Sequence, residues 1–310
     1  MTKIKFITVM SELGAGTRGA SLGYGAMLAA SHTHGNNLLN NYPTVEVPVK
    51  NASLFNDINT PFAKRIEDIK EVFGHIHSEV INTLNADEFP VVLAGDHSTA
   101  AATIQSIKKA HPNKKLGVVW IDAHADLHSP YTTPSGNVHG MPLAIALKED
   151  NKQNAVNQLD SKTEAAWQEI CGEPSLSPED IVFYGVRDTE IPEDELILSK
   201  GIRSVTVEEL RSKGAKQSVS ETLEYLSECD HIYISFDVDS MDSAISNGTG
   251  TPVINGFSAV EASKIICYLL KSDKVCCLEM VEINPTLDHK GNVMAETALN
   301  VLNDAIQTIA

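Results

Sequence analysis

The feature that most constrains this chain is a set of short apolar runs, each cut off by acidic or histidine side chains and followed by a helix-compatible stretch. The sharpest is Leu116-Gly117-Val118-Val119-Trp120-Ile121, which ends in Asp122-Ala123-His124-Ala125-Asp126. A continuous apolar run of this length reads as a strand buried on both faces. Charged groups set against such a strand are costly unless something compensates them, and a divalent cation compensates a carboxylate cluster well. In an extended backbone alternate side chains share a side, so Asp122, His124 and Asp126 are expected to converge as a metal shelf.

The same pattern recurs along the chain. Residues 3–10 read as a strand; 90–94 end at Gly95-Asp96-His97-Ser98, 181–186 at Arg187-Asp188, 231–236 at Asp237-Val238-Asp239, and 275–281 near Glu282, with a further strand at 202–205. Between them, Phe62, Ile66, Ile69, Phe73, Ile76, Val80 and Leu84 recur every three or four residues, predicting an amphipathic helix over 62–84. Helices are also expected at about 21–31, 99–110, a short one ending near 148, and at 161–171, 216–228, 258–271 and 293–308. Strands alternating with helices predict an α/β fold, a mostly parallel sheet with helices on both faces. No linker or repeat divides residues 1–310, so a single domain is expected. The polar stretch 149–178 reads as a surface excursion, in which Trp167 is a packing anchor or a subunit contact.

In open parallel sheets ligands bind beyond the carboxyl ends of the strands. The candidate ligands His97, Asp122, His124, Asp126, Asp237 and Asp239 all stand at such ends. They are too many for one zinc and suit two ions bridged by carboxylates. Four carboxylates carry a charge of about -4, which two divalent ions balance. The oxygen-rich, two-histidine set favours a harder ion such as manganese over a thiolate-bound one. Ions about 3.5 Å apart share a water and lower its pKa, so the expected chemistry is hydrolysis. A phosphoester substrate is disfavoured, because Gly-Asp-His precedes Asp-x-His and few Arg or Lys residues lie near the motifs. Arg187, the exception, reads as a structural ion-pair partner.

Other function classes weigh less. Gly14-Ala15-Gly16-Thr17-Arg18-Gly19 has the form of a dinucleotide fingerprint, but the acidic residue expected roughly 20 positions on is missing, and Asn36 to Asn41 stand there instead. A glycine-rich turn before a helix is the better reading. A metal-binding scaffold without turnover is disfavoured by the full ligand set. The net charge of -17 disfavours nucleic acid and anionic membrane as partners and is compatible with a small cationic substrate. Five cysteines at 171, 229, 267, 276 and 277 never form C-x-x-C, which fits reduced thiols in a cytoplasm. The apolar start is too short for a signal peptide, and no stretch approaches a membrane span.

Six stretches together carry a resemblance. They are Gly95-Asp96-His97-Ser98, Trp120 to Asp126, Ser135-Gly136-Asn137-Val138-His139-Gly140, Ser235 to Asp239 with Asp242, Gly248 to Pro252, and Glu282-Ile283-Asn284-Pro285. In this order and spacing they resemble the arginase/ureohydrolase family, most closely its arginase branch. The resemblance implies a three-layer α/β/α fold around a parallel eight-stranded sheet and a homo-oligomer, a trimer or hexamer. It also implies a binuclear manganese centre, open to other divalent ions such as cobalt, and hydrolysis of the guanidino group of L-arginine to L-ornithine and urea by a metal-bridging hydroxide. By match, His97, Asp122, His124, Asp126, Asp237 and Asp239 hold or bridge the metals, with Asp126 also counted in the catalytic group. His139 is the proton shuttle and Glu282 pairs with the guanidinium. Thr133, Ser135 and Asn137 contact the amino-acid end. His128 stands where arginases commonly have an asparagine that contacts the carboxylate, and Glu190 takes the place of an aspartate beside the α-amino group, with Glu193 also expected to contact the substrate. Both changes keep polarity and alter reach; Glu279 likewise replaces an aspartate. An agmatinase or another guanidino-acid ureohydrolase is the alternative within the family.

Overall fold

A computed structural model describes residues 2–289 and 291–310. Its strands are β1 (Ile4–Val9), β2 (Thr44–Glu46), β3 (Phe89–Ala94), β4 (Leu116–Ile121), β5 (Ile181–Tyr184), β6 (Arg203–Val205), β7 (His231–Asp237) and β8 (Val275–Val281). The helices are α1 (Gly23–His34), α2 (Ile66–Asn85), α3 (Ala100–Ala110), α4 (Pro142–Leu147), α5 (Ser161–Cys171), α6 (Ile191–Lys200), α7 (Val207–Lys213), α8 (Ala215–Tyr225), α9 (Ala259–Leu269) and α10 (Val293–Ile309).

All eight strands form one sheet in the order β2-β1-β3-β8-β7-β4-β5-β6, and every neighbouring pair is parallel. Buried side chains alternate between two cores. On β4, Val119 and Ile121 enter one core with α1 and α7 to α10, while Val118 and Trp120 enter the other with α2 to α6. This is the three-layer α/β/α arrangement, and it explains why the central strands read as unbroken apolar runs: neither face meets water. The order β3-β8-β7-β4 sets four strand ends side by side, so His97, Glu282, Asp237 and Asp122, far apart in sequence, arrive at one edge of the sheet.

Several local expectations shift. The helix read from residue 62 begins at Ile66, because Arg65 adopts the left-handed conformation (φ 59°) and residues 61–65 form a turn ahead of it. The strand read over 181–186 ends at Tyr184. Gly185 then takes φ 84°, where an added Cβ would stand 2.6 Å from the Phe257 ring. Strand β2 has only three residues, two of them exposed, and carries no apolar signal. Helix α6 starts with a proline in its first turn and a Glu190/Glu193 capping box, a start signal present in the sequence although no helix is read there. Helix α7, capped by Thr206, also adds to the reading. Within 149–178, α5 turns Trp167 fully inward against the second core.

Candidate metal centre and substrate cleft

Two groups of ligand atoms meet at the carboxyl edge. In the first, His97 Nδ1 lies 3.1 Å from one oxygen each of Asp122, Asp126 and Asp237. In the second, His124 Nδ1 lies 3.1 Å from Asp239 Oδ2 and 3.4 Å from Asp122 Oδ1. Asp122 therefore presents Oδ2 to one group and Oδ1 to the other, the arrangement of a bridging carboxylate.

The donors fit a pair of divalent cations. His97 Nδ1 and Asp122 Oδ2 are buried without a hydrogen-bond partner, although the carboxylates crowd around them. Buried polar atoms in that state are rare unless an ion or water completes them. Donors held about 2.0–2.2 Å from one ion, at right angles, stand about 3 Å from each other, which matches the first group. Without cations, burial and then the neighbouring Asp239 and Asp122 push the Asp237 carboxyl well above its ordinary range. Burial and Asp122 likewise raise Asp126 to about 6. Cations at this edge would remove the cost of holding these groups ionised.

The surroundings aim each ligand. Ser235 Oγ is 2.7 Å from His97 Nε2, and Trp120 stacks on the His97 ring at 4.2 Å with the planes 4° apart. Asp237 Oδ1 accepts the Asp239 N–H at 2.8 Å, Asp239 Oδ1 accepts the Ala123 N–H at 3.2 Å, and Thr251 donates to Asp239 Oδ2 at 3.1 Å. Such outer partners fix tautomer and orientation. The shelf itself is not the extended segment expected. Strand β4 ends at Ile121, residues 122–124 bend, and Asp126 is left-handed (φ 52°). The three side chains meet because the backbone turns; Asp122 serves both groups, His124 the second and Asp126 the first.

Above the ligands opens a cavity of about 320 Å³. Glu282 enters it from the end of β8, 4% exposed and also left-handed (φ 66°). Its Oε1 accepts the His97 backbone N–H at 2.9 Å and lies 3.6 Å from His139 Nδ1. Two non-glycine residues at positive φ in one site store strain of about 1–3 kcal/mol each, which persists only where the surroundings over-determine the backbone. For His139, burial opposes the charge, but Glu282, with Asp126 and Asp96 behind it, outweighs burial and raises the pKa.

The two sides of the cavity differ in hydrogen-bonding character. On one, Thr133 Oγ1 accepts the N–H groups of Gly136 (2.9 Å) and Ser135 (3.3 Å), Ser135 Oγ accepts Asn137 N–H (3.1 Å), and Asn137 Oδ1 accepts Lys64 Nζ (3.1 Å). Each side chain has an acceptor engaged by the protein, leaving its hydrogens for a ligand. The other side is acidic, with Asp188, Glu190 and the buried Glu193. Here His128 has both ring nitrogens engaged, Nε2 at 2.8 Å from Glu190 and Nδ1 at 3.1 Å from Thr132 Oγ1. It thus offers no free nitrogen where the resemblance places a carboxylate contact. His128, Glu190 and Glu193 also cluster closely enough to hold an ion. The oxygens of Glu193, however, already accept the N–H groups of Leu127 (3.1 Å) and Glu190 (3.2 Å), and the cluster caps α6.

Sequence reasoning leaves several contributors unassigned. The glycine turn forms a wall of the cavity, with glycine demanded by close approach: a Cβ at Gly14 would stand 2.5 Å from Asp96 Oδ1, and one at Gly16 2.7 Å from Asn137 Nδ2. Asp96 accepts Gly14 N–H at 3.0 Å and caps the turn that carries His97. Glu279 is fully buried beneath the site, receiving hydrogen bonds from Thr99 (3.1 Å) and Tyr233 (2.9 Å), and burial raises its pKa. Arg187 is structural, but its partners are the backbone carbonyls of Ile254, Gly185, Asp239 and Val253, and it makes no ion pair among the described residues.

Two cation compartments sharing one carboxylate, at the carboxyl edge of a parallel α/β/α sheet, place the protein among the metal-dependent hydrolases. The sequence profile of the arginase family matches residues 2–307. The arginase of Bacillus subtilis (strain 168) is 32% identical over 307 residues, covering 98% of this chain and 97% of the relative. The arginase of Staphylococcus aureus (strain MSSA476) is 34% identical over 260 residues, covering 83% and 80%. The native structure of the arginase from Bacillus caldovelox superposes with a TM-score of 0.84 at 31% identity, covering 98% of each chain. This chain belongs to the arginase family.

Proposed function

We propose that the protein is a manganese-dependent arginase that hydrolyses the guanidino group of L-arginine to L-ornithine and urea. The observation that carries this reading is the polarity of the cavity. Glu282 stands beside the ligand cluster, and the far end pairs the spent-acceptor hydroxyls and amide of Thr133, Ser135 and Asn137 with the acids Glu190 and Asp188. A cationic guanidinium suits the first end. An acceptor-only carboxylate and an ammonium suit the second, and L-arginine carries all three.

His97, Asp122, His124, Asp126, Asp237 and Asp239 would hold two divalent ions, which would supply a water nucleophile ionised near neutral pH. The oxygen-rich ligand set favours manganese, and cobalt is also accommodated by two imidazoles and four carboxylates. The chain does the rest. Glu282, with Oε1 held by the His97 N–H, turns its other oxygen to the guanidinium and fixes which carbon faces the ligand cluster. His139, with its pKa raised beside Glu282, holds the proton that the departing amine needs. The closed hydrogen bonds of His128 remove one candidate donor from the carboxylate end, which weakens arginine binding without changing the order of the groups.

Urea release from manganese-loaded protein, compared for L-arginine, agmatine and 4-guanidinobutanoate, tests the reading. L-Arginine is expected to have the highest kcat/KM; turnover of agmatine far above arginine assigns an agmatinase instead. All five cysteines are free thiols, which supports a cytoplasmic location, and among the described residues no helix is long and apolar enough to cross a membrane. A homotrimer or hexamer is part of the same proposal, and light scattering on the eluting peak checks it.

A further inference from the structure

We infer that Lys64 is a positioning residue for the amino-acid end of the substrate: it turns the amide of Asn137 and sets a positive charge behind the donor wall. The inference rests on the arginine reading of the cavity and adds a residue that none of the site motifs contains.

In a chain with 41 acidic and 24 basic residues, Lys50, Lys70 and Lys213 each reach two carboxylates. Lys64 is half-buried, and its ammonium contacts Asn137 Oδ1 at 3.1 Å, with no ion pair among the described residues. An ammonium has hydrogens and no acceptor, so the amide must face it with its oxygen. The Nδ2 end of Asn137 is thereby turned to the Gly16 wall of the cavity, where the absence of a Cβ leaves it room. Without the ammonium, the amide is free to rotate and offer an acceptor to an anionic ligand, a repulsive contact.

The backbone holds this arrangement in place. Lys64 N–H donates to Gly136 O at 2.8 Å, and Gly136 takes φ 73°, where a Cβ would lie 1.9 Å from Pro61 O. Thr60 Oγ1 donates to Ala63 O at 2.7 Å, and the left-handed Arg65 closes the turn before α2. The 60–65 turn and the 133–137 loop are therefore clamped together.

Arg18 stands near enough to Arg65 that its charge, after burial and against the pull of Asp68, lowers the Arg65 pKa, and Arg18 donates to the carbonyls of Glu12, Ala15 and Thr17, with no ion pair among the described residues. Lys64 thus stands behind the lining residue Asn137 and Arg18 beside the lining residue Thr17, while Asp188, Glu190 and Glu193 face the cavity from the other side. That field is matched to a zwitterionic α-amino acid, not to a simple diamine.

The test uses the full, manganese-loaded chain with Lys64→Met and Lys64→Arg, measuring kcat and KM for L-arginine and calorimetric binding of L-ornithine and of 1,4-diaminobutane. Lys64→Met is expected to raise KM for arginine about tenfold, with kcat within about twofold, and to weaken ornithine by about the same factor. Binding of the diamine, which lacks the carboxylate, should not weaken, and Lys64→Arg should restore most of the loss. Unchanged ornithine affinity in Lys64→Met, or equal weakening of ornithine and diamine, overturns the inference. If the parent protein releases no urea from arginine, the functional reading fails, while the ornithine and diamine titrations still judge Lys64.

Discussion

Replacing Ser235 with alanine tests how the fold tunes the first cation compartment without touching a ligand. Ser235 Oγ lies 2.7 Å from His97 Nε2, and both residues are buried, so no water replaces the lost hydroxyl. Leaving a buried N–H without a partner costs about 1–3 kcal/mol. If that cost falls mainly on the ion-holding state, in which His97 must keep the tautomer with Nδ1 unprotonated, manganese affinity drops by roughly 10- to 100-fold, the range usual for loss of an outer-shell partner. The structure also says which ion suffers, because His97 belongs to the Asp122–Asp126–Asp237 group while His124 and Asp239 form the other. Calorimetric titration of the metal-free protein with manganese should therefore show one weakened and one nearly unchanged binding step. Parallel melting curves in chelator would confirm that the variant folds. Two unchanged steps, or equal weakening of both, would refute the reasoning.

Other expected outcomes follow from the same geometry. His139→Asn should keep both ions, by metal analysis, while urea release falls by about 10²- to 10⁴-fold; unchanged turnover would remove the proton-holding role. Asp239→Ala should lower bound manganese toward one ion per chain and reduce the melting temperature in manganese relative to the parent, since ligand binding to the folded state adds stability. Equal melting temperatures with metal present would contradict it. His77, with Nδ1 2.9 Å from Ser106 Oγ, has its pKa lowered to about 4, by burial first and then by Lys109. The unfolded chain then binds the extra proton more readily, so this stability is complete above about pH 6.5 and is lost as pH falls toward 4. Allowing for the partial exposure of the ring, denaturant titrations in chelator should show His77→Gln less sensitive to pH across that window by about 1–2 kcal/mol. Parallel curves for variant and parent would count against this.

The fold was legible where burial is two-sided. The bounds of β4, β8 and α5 agree with the reading, because apolar runs and three-four spacing record which faces meet the core. What escaped depends on contacts distant in sequence or on special backbone. Arg65 starts α2 and Gly185 follows the end of β5 through positive φ, and β2 is stabilised by pairing with β1 rather than by its own side chains. At the site, the strand-end positions of the candidate ligands were readable from residues alone, but Asp122 to Asp126 meet through a turn of the backbone rather than by alternation along a strand. The engagement of His128 depends on Glu190, 62 positions away, and that of Lys64 on Asn137, 73 positions away. No local pattern encodes either pairing.

The central claim is that one cavity joins a two-ion centre to a wall built for an amino-acid end. The most direct measurement is urea release from L-arginine and agmatine by a single sample whose manganese content is determined at the same time. About two ions per chain are expected, with a kcat/KM for arginine at least about tenfold above that for agmatine, the effect of one well-met charged contact. Two ions with agmatine preferred would overturn the assignment of the wall, and full activity with only one ion bound would overturn the paired centre.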